Sequence, residues 1–213
     1  MVKIIDVSAY QIIDSGGRLQ SLDWSAIAAE GYAAAICKSG DGIGSPDHSL
    51  AAHVAGARAA GLAIGTYHYL RIRHGRAQDA RAQAREACAA WLAQGCELRL
   101  ALDVESAGNE AASTSEWSEA VVDFVAEVET QTGHSPTIYT SRGEWRLTAL
   151  TSLGRCPLWL ACYGDVATAP APWHSYDAWQ WTGEGKIAQR GPYDLSRASD
   201  EGYARLLAQP LLG

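Results

Sequence analysis

Asp103 and Glu105 close the stretch Leu98-Arg99-Leu100-Ala101-Leu102-Asp103-Val104-Glu105, in which Leu98, Leu100, Leu102 and Val104 alternate with the rest. A period of two is that of a strand whose faces meet different environments. At about 3.3 Å per residue the two acids stand roughly 6.6 Å apart on one face, where the strand gives way to a loop. Neighbouring carboxyls on one platform can be held at different pKa values. One then stays protonated to donate to a leaving oxygen, while the other stays ionised to stabilise positive charge developing on a sugar, as glycosidic bond cleavage requires. An Asp-x-Glu pair is equally compatible with an acidic strand end, so context decides. Asp6 at the end of the first apolar run and Asp194 in Gly191-Pro192-Tyr193-Asp194 supply that context.

These acids need strands to carry them, and the spacing divides the chain into β/α units. A strand over 3–8 places Ile4, Asp6 and Ser8 on one face. Asp23 caps a helix that Gly31 ends, and a strand over 33–39 leads into the loop of Gly40, Gly42 and Gly44. Ser45-Pro46 opens the next helix, closed by Gly61. A strand over 62–70 precedes a helix over 76–94 with the stripe Ala77, Ala80, Ala84, Cys88 and Trp91. After strand 98–105, Ser113 and Glu116 form a capping box ahead of Trp117, Val121, Phe124, Val125 and Val128, with Gly133 as the stop. A strand over 136–141 precedes a second capping box, Ser141 with Glu144.

The rhythm then changes. A strand over 157–163 is followed by a Pro- and Ala-rich gap, and a strand over 176–182 turns at Gly183-Glu184-Gly185 into the last strand. A helix begins at about Asp200. Five β/α units followed by three helix-poor strands predict an α/β fold, an irregular TIM-like barrel forming one domain over 1–213. In such a barrel the strand ends form one rim, where Asp6, Asp103, Glu105 and Asp194 converge. Four carboxylates repel one another unless function, hydrogen bonds or a cation holds them together.

The remaining composition narrows the chemistry. A net charge of -7 excludes a nucleic-acid footprint. No apolar run approaches the ~20 residues of a membrane span, and Met1 to Asp6 shows no signal-peptide pattern. The five cysteines form no C-x-x-C motif; Cys156 and Cys162 flank one strand, roughly 20 Å apart, so reduced thiols are expected. His48 and His53 do not share a helix face, and His68 reads as structural, so no metal is expected. Phosphate-loop, dinucleotide and Ser-elbow motifs are missing, which leaves no cofactor to expect. Eight Trp and nine Tyr against one Phe suit sugar rings, with Trp159 and Trp181 singled out near strand ends.

Taken in order, Asp6-Val-Ser-x-x-Gln11, Tyr67-His68-Tyr69, Leu102-Asp103-Val104-Glu105, Tyr139-Thr140, Leu158-Trp159-Leu160-Ala161, Trp179-Gln180-Trp181 and Tyr193-Asp194 resemble glycoside hydrolase family 25 over nearly the whole chain. The resemblance implies a (β/α)5β3 barrel and N-acetylmuramidase activity on the β-1,4 bond of bacterial peptidoglycan. It implies Glu105 as general acid, Asp103 as its partner, and Asp6 and Asp194 as flanking acids. Tyr67, Tyr69, Tyr139, Trp159, Gln180, Trp181 and Lys38 become the substrate contacts. Asp41 stands where the family usually has Glu, and Leu195-Ser196 follow Asp194 where Asn or Asp is usual at the second position. A monomeric phage endolysin made in the host cytoplasm is one expected setting; an extracellular enzyme is expected if a leader was removed.

Two other classes compete. A peptidoglycan-binding module without turnover has no need of an acid pair, and a metal-dependent hydrolase calls for His-containing ligand sets. Because Asp103 and Glu105 share a strand, they reach the scissile bond from one side. A nucleophile must then come from elsewhere, and the substrate's own 2-acetamido oxygen is the expected one, giving net retention.

Overall fold

A computed structural model describes residues 1–12 and 21–208. Eight strands close into a barrel in sequence order. They are β1 (Val2–Val7), β2 (Tyr32–Asp41), β3 (Ala63–Tyr69), β4 (Ala101–Asp103), β5 (Thr137–Ser141), β6 (Leu158–Ala161), β7 (Ala178–Ile187) and β8 (Arg190–Ala198). Neighbours run parallel except around β8, which is antiparallel to both β7 and β1. The helices are α1 (Trp24–Ala29), α2 (Leu50–Ala59), α3 (Asp79–Gln94), α4 (Thr114–Thr132) and α5 (Asp200–Leu206).

Strand alternation sorts the side chains into three cores. Inside the barrel, small Ala34, Ala101 and Ala178 pack with Ile4, Ile36, Tyr139 and Trp159, while Leu98 and Leu206 of α5 join them at the lower end. Outside, Leu100, Leu102 and Val104 meet Ala84, Cys88 and Trp91 of α3 and the Trp117, Val121, Phe124, Val125 and Val128 stripe of α4. Ile5, Val7, Ala35 and Cys37 pack under Trp24, Ile27, Val54 and Ala57. Indoles cover the helix-poor side: Trp173 Nε1 donates to the Cys156 carbonyl at 3.0 Å, and the Arg197 guanidinium lies 4.3 Å over Trp179. The Ser113/Glu116 capping box and the Gly133 stop form as the spacing predicts. Among the described residues no helix is long and apolar enough to cross a membrane.

Several boundaries differ from the sequence expectation, each for a local reason. β4 spans three residues instead of eight, because the Glu97 and Leu98 N–H groups both donate to the Ile64 carbonyl and turn Leu98 into the barrel. Alternation is regular from Leu100 onward. α2 starts at Leu50, since Pro46 bridges Gly40 and Asp47 accepts from the Ser49 and Ala9 N–H groups at 2.8 and 3.0 Å. α3 starts at Asp79 after turns that include Arg76 and Ala77. No α-helix separates β5 from β6: 3-10 turns at Trp145–Leu147 and Thr151–Arg155 take its place, and the Glu144 carboxylate binds Ser106 and Arg146 in place of a cap. The hairpin turns at Ala188-Gln189, with φ of 48° and 65°, and not at Gly183–Gly185. Gly185 lies inside β7, where a Cβ would stand 2.1 Å from Leu195 Cδ1.

Candidate active site

Register brings the chemistry to the upper rim. Across β3 to β6, Tyr69 pairs with Asp103, Asp103 with Tyr139 and Tyr139 with Trp159. Laterally paired side chains point the same way, so Asp103 enters the barrel mouth between two tyrosines. Asp6 of β1 pairs with Asp194 of β8 on the other side. Together they line a cleft of about 250 Å³ with Glu105, Lys38, Tyr67 and Gln180.

Glu105 lies just past the end of β4, and its backbone is fixed from both sides. Thr140 Oγ1 donates to the Val104 carbonyl at 2.9 Å, and Asn109 Nδ2 donates to the Glu105 carbonyl at 2.9 Å. Asn109 is itself buried, its Oδ1 accepting from the Ile72 N–H at 2.7 Å.

Asp103 and Glu105 stand together in the cleft, and each acts on the protonation of the other. Burial pushes Asp103 well above the usual carboxylate range, and the Glu105 charge adds to the effect. Burial also raises Glu105, against the pull of Asp103, Lys38 and Arg71. Asp103 Oδ1 is buried with no hydrogen-bond partner. An orphaned acceptor at the floor of a polar cleft is a place for a ligand N–H or O–H.

The second pair is organised through Gln180. Its Nε2 donates to both Asp6 oxygens, at 3.2 and 3.1 Å, while its Oε1 accepts from Tyr139 at 2.9 Å and Tyr163 at 3.1 Å. Burial and then the Asp194 charge still raise Asp6 well above its ordinary value. Asp194 is raised to about 6, first by burial and then by Glu105 and Glu184.

Lys38 acts on both Asp103 and Glu105 with its positive charge. Its Nζ lies 3.0 Å from Asp41 Oδ2 and 5.2 Å from the Tyr69 ring centroid. Burial pushes the Asp41 carboxyl up, but bonds from Arg71 and Lys38 outweigh it and hold it below the usual range. The shorter Asp at position 41 therefore still engages Lys38.

Of the residues expected in the site, Asp6, Asp103, Glu105, Asp194, Tyr67, Tyr69, Tyr139, Trp159, Gln180 and Lys38 all line the cleft. Trp159 is its floor, 1 % exposed, with its Nε1 donating to Ser196 Oγ at 2.9 Å. Trp181 does not line it: alternation along β7 sends Gln180 inward and Trp179 and Trp181 outward. Tyr10 and Tyr163, 82 % and 64 % exposed, line the mouth instead. Tyr163 follows the Leu158-Trp159-Leu160-Ala161 motif closely in sequence; Tyr10 and Asn109 had no spacing signal. His68 is structural as expected, its Nε2 3.3 Å from Gln83 Oε1, and burial lowers it to about 4. All five cysteines are unpaired. Among the described residues no group of three or more His, Cys, Asp or Glu is arranged to hold a metal ion.

Two neighbouring carboxyls raised by burial, two further acids and a tyrosine-lined mouth can protonate a leaving oxygen while shielding a cationic centre. The model of glycosyl hydrolases family 25 matches residues 5–190, a span that includes Asp6, Asp103 and Glu105. The chain belongs to glycosyl hydrolase family 25. This family 25 hydrolase is also similar to a bacterial lysozyme from Streptomyces coelicolor, at 25 % identity and a TM-score of 0.79, over 97 % of this chain and 95 % of that one. It is similar to a muramidase from Acremonium alcalophilum, at 26 % identity and a TM-score of 0.80, over 98 % and 99 % of the two chains. The catalytic domain of endolysin ply40 from bacteriophage P40 of Listeria monocytogenes gives 25 % and 0.74, over 97 % of each chain. No protein with a curated description matches the chain. The barrel with its one antiparallel strand is thus the fold of a glycoside hydrolase.

Proposed function

We propose that this glycoside hydrolase is a lysozyme, a monomeric N-acetylmuramidase whose residues 1–213 act as one catalytic domain. It cuts the β-1,4 bond between N-acetylmuramic acid and N-acetylglucosamine in bacterial peptidoglycan, with net retention. The observation that carries this reading is the Asp103–Glu105 pair, two carboxyls side by side in an aromatic cleft and both raised by burial. The lysozyme, muramidase and endolysin among its structural relatives support it.

Glu105, the more accessible of the pair, is the general acid. Asp103 accepts the N–H of the 2-acetamido group at its orphaned oxygen. That bond favours the ionised form of Asp103, so with substrate bound the proton is carried by Glu105, ready for the glycosidic oxygen. The acetamido carbonyl oxygen attacks the anomeric carbon as the C–O bond breaks, giving an oxazolinium ion whose charge Asp103 balances. Glu105, now ionised, takes a proton from the water that opens the ring. Two inversions leave the β configuration. Asp6 and Asp194 act through the field around the pair, and Lys38, Tyr67, Tyr69, Tyr139, Tyr163 and Gln180 contact the sugars. The setting that fits is action on the bacterial wall, as for an endolysin.

Purified peptidoglycan tests the assignment. New reducing ends should appear without free amino groups, and borohydride reduction should convert the new ends to muramitol. Glucosaminitol, amine release or binding without turnover would each reject the muramidase reading.

A further inference from the structure

A second groove, of about 340 Å³, adjoins the cleft and shares Glu105, Tyr139 and Tyr163 with it. Its outer wall is the turn after β5, Ser141, Arg142 and Gly143. Arg142 is exposed, and among the described residues its guanidinium has neither an ion pair nor a hydrogen bond. The turn beneath it is braced. The Arg142 N–H donates to the Ala161 carbonyl at 3.2 Å, and the Glu144 N–H to the Ser141 carbonyl at 3.2 Å. The Glu144 side chain, 3 % exposed, is pinned by the Ser106 hydroxyl and by Arg146 at 3.0 Å. The cations acting most on Glu105 are Lys38 and Arg71, so Arg142 is not committed to the acid pair.

We infer that this groove takes the 3-O-lactyl branch of the muramic acid and that Arg142 binds a carboxylate of that branch, an inference that rests on the muramidase reading. Of the two sugars flanking the scissile bond, only muramic acid carries an anionic branch. That branch leaves C3, next to the C2 acetamido group assigned to Asp103, and so emerges beside the acid pair where the groove opens. The Ala161 methyl and the Tyr139 and Tyr163 rings suit the methyl groups of the lactyl and first alanyl units. A free guanidinium on a braced turn presents paired N–H donors to a carboxylate at little further ordering cost.

Three soluble glycan substrates test this: strands whose stem peptides keep free carboxylates, the same strands after amidation of those carboxylates, and strands stripped of stems to leave the lactyl carboxylate. Arg142→Gln should lower kcat/KM about tenfold or more on the free-carboxylate strands, mainly through KM, as expected for a charge-assisted bond. On amidated strands the two enzymes should converge, and Arg142→Lys should recover part of the loss. A loss on the stripped strands shows that Arg142 also takes the lactyl carboxylate once it is freed; no loss there confines the contact to the stem carboxylate. An equal loss on all three substrates, or none on the free-carboxylate strands, overturns the inference. Failure of the wild-type enzyme to release reducing ends from any strand would instead overturn the muramidase reading.

Discussion

Replacing Asp194 by Asn removes a charge that burial, Glu105 and Glu184 all oppose, since its carboxyl is held up from 3.8 to about 6. A carboxyl with a raised folded pKa binds more protons folded than unfolded, so its penalty is absent below the unfolded pKa, grows as pH rises and levels off above the folded pKa. At about 1.4 kcal/mol per pH unit the shift corresponds to roughly 3 kcal/mol, and solvent at the partly open carboxyl reduces it to roughly 2 kcal/mol. The Gln11 Nε2 contact, 3.4 Å from Oδ2, survives the change because the amide oxygen also accepts. Asp6 gains as well, since the Asp194 charge raises it. In a chain of 213 residues each kcal/mol moves Tm by about 2–4 °C, so the variant should melt about 4–8 °C higher at pH 7.5. At pH 4 the two proteins should melt nearly together. Calorimetry from pH 4 to 8 checks this, with kcat/KM falling modestly in parallel. A Tm difference independent of pH, or a variant less stable at pH 7.5, would refute the electrostatic reasoning.

Other changes separate the roles of the cleft residues. Glu105→Gln keeps shape but cannot deliver a proton, so kcat should fall well beyond ~10²-fold with the circular dichroism spectrum unchanged; near-wild-type turnover would remove Glu105 as the acid. Gln180→Leu strands the Tyr139 hydroxyl and the Asp6 carboxyl and should cost about 1–3 kcal/mol in urea unfolding, where an unchanged midpoint would deny Gln180 its bridging role. Tyr163→Ala should raise KM for glycan strands while Trp181→Ala leaves it unaltered, because only the first lines the mouth; the reverse order would restore Trp181 to the site.

The parts legible in the sequence are those that local pattern controls. The α4 stripe and its capping box depend on residues three and four apart, and the alternation from Leu100 to Glu105 put both acids in the cleft. Long-range contacts explain what was missed. Ser141 and Glu144 have capping-box spacing, but Ser106 from across the rim, held in turn by Arg146, takes the Glu144 carboxylate, so no α-helix nucleates. The Gly183–Gly185 turn signal gave way because Leu195 and Tyr193 of β8 press against Gly185, while the real turn at Ala188-Gln189 has no Asn-Gly signature. Trp181 was singled out by nearness to a strand end, which does not settle on which face a side chain stands. Asn109 fixes Glu105 from a loop, and no periodicity marks such a residue.

The anomeric configuration of the first-formed product tests the paired-carboxyl account most directly. Glycan strands digested with enough enzyme to outpace mutarotation, followed by proton NMR, report which anomer of the new muramic acid end appears first. Attack by the acetamido oxygen, with Asp103 behind it and Glu105 as acid and then base, predicts the β anomer. An initial α anomer, the product of direct displacement by water, would contradict it.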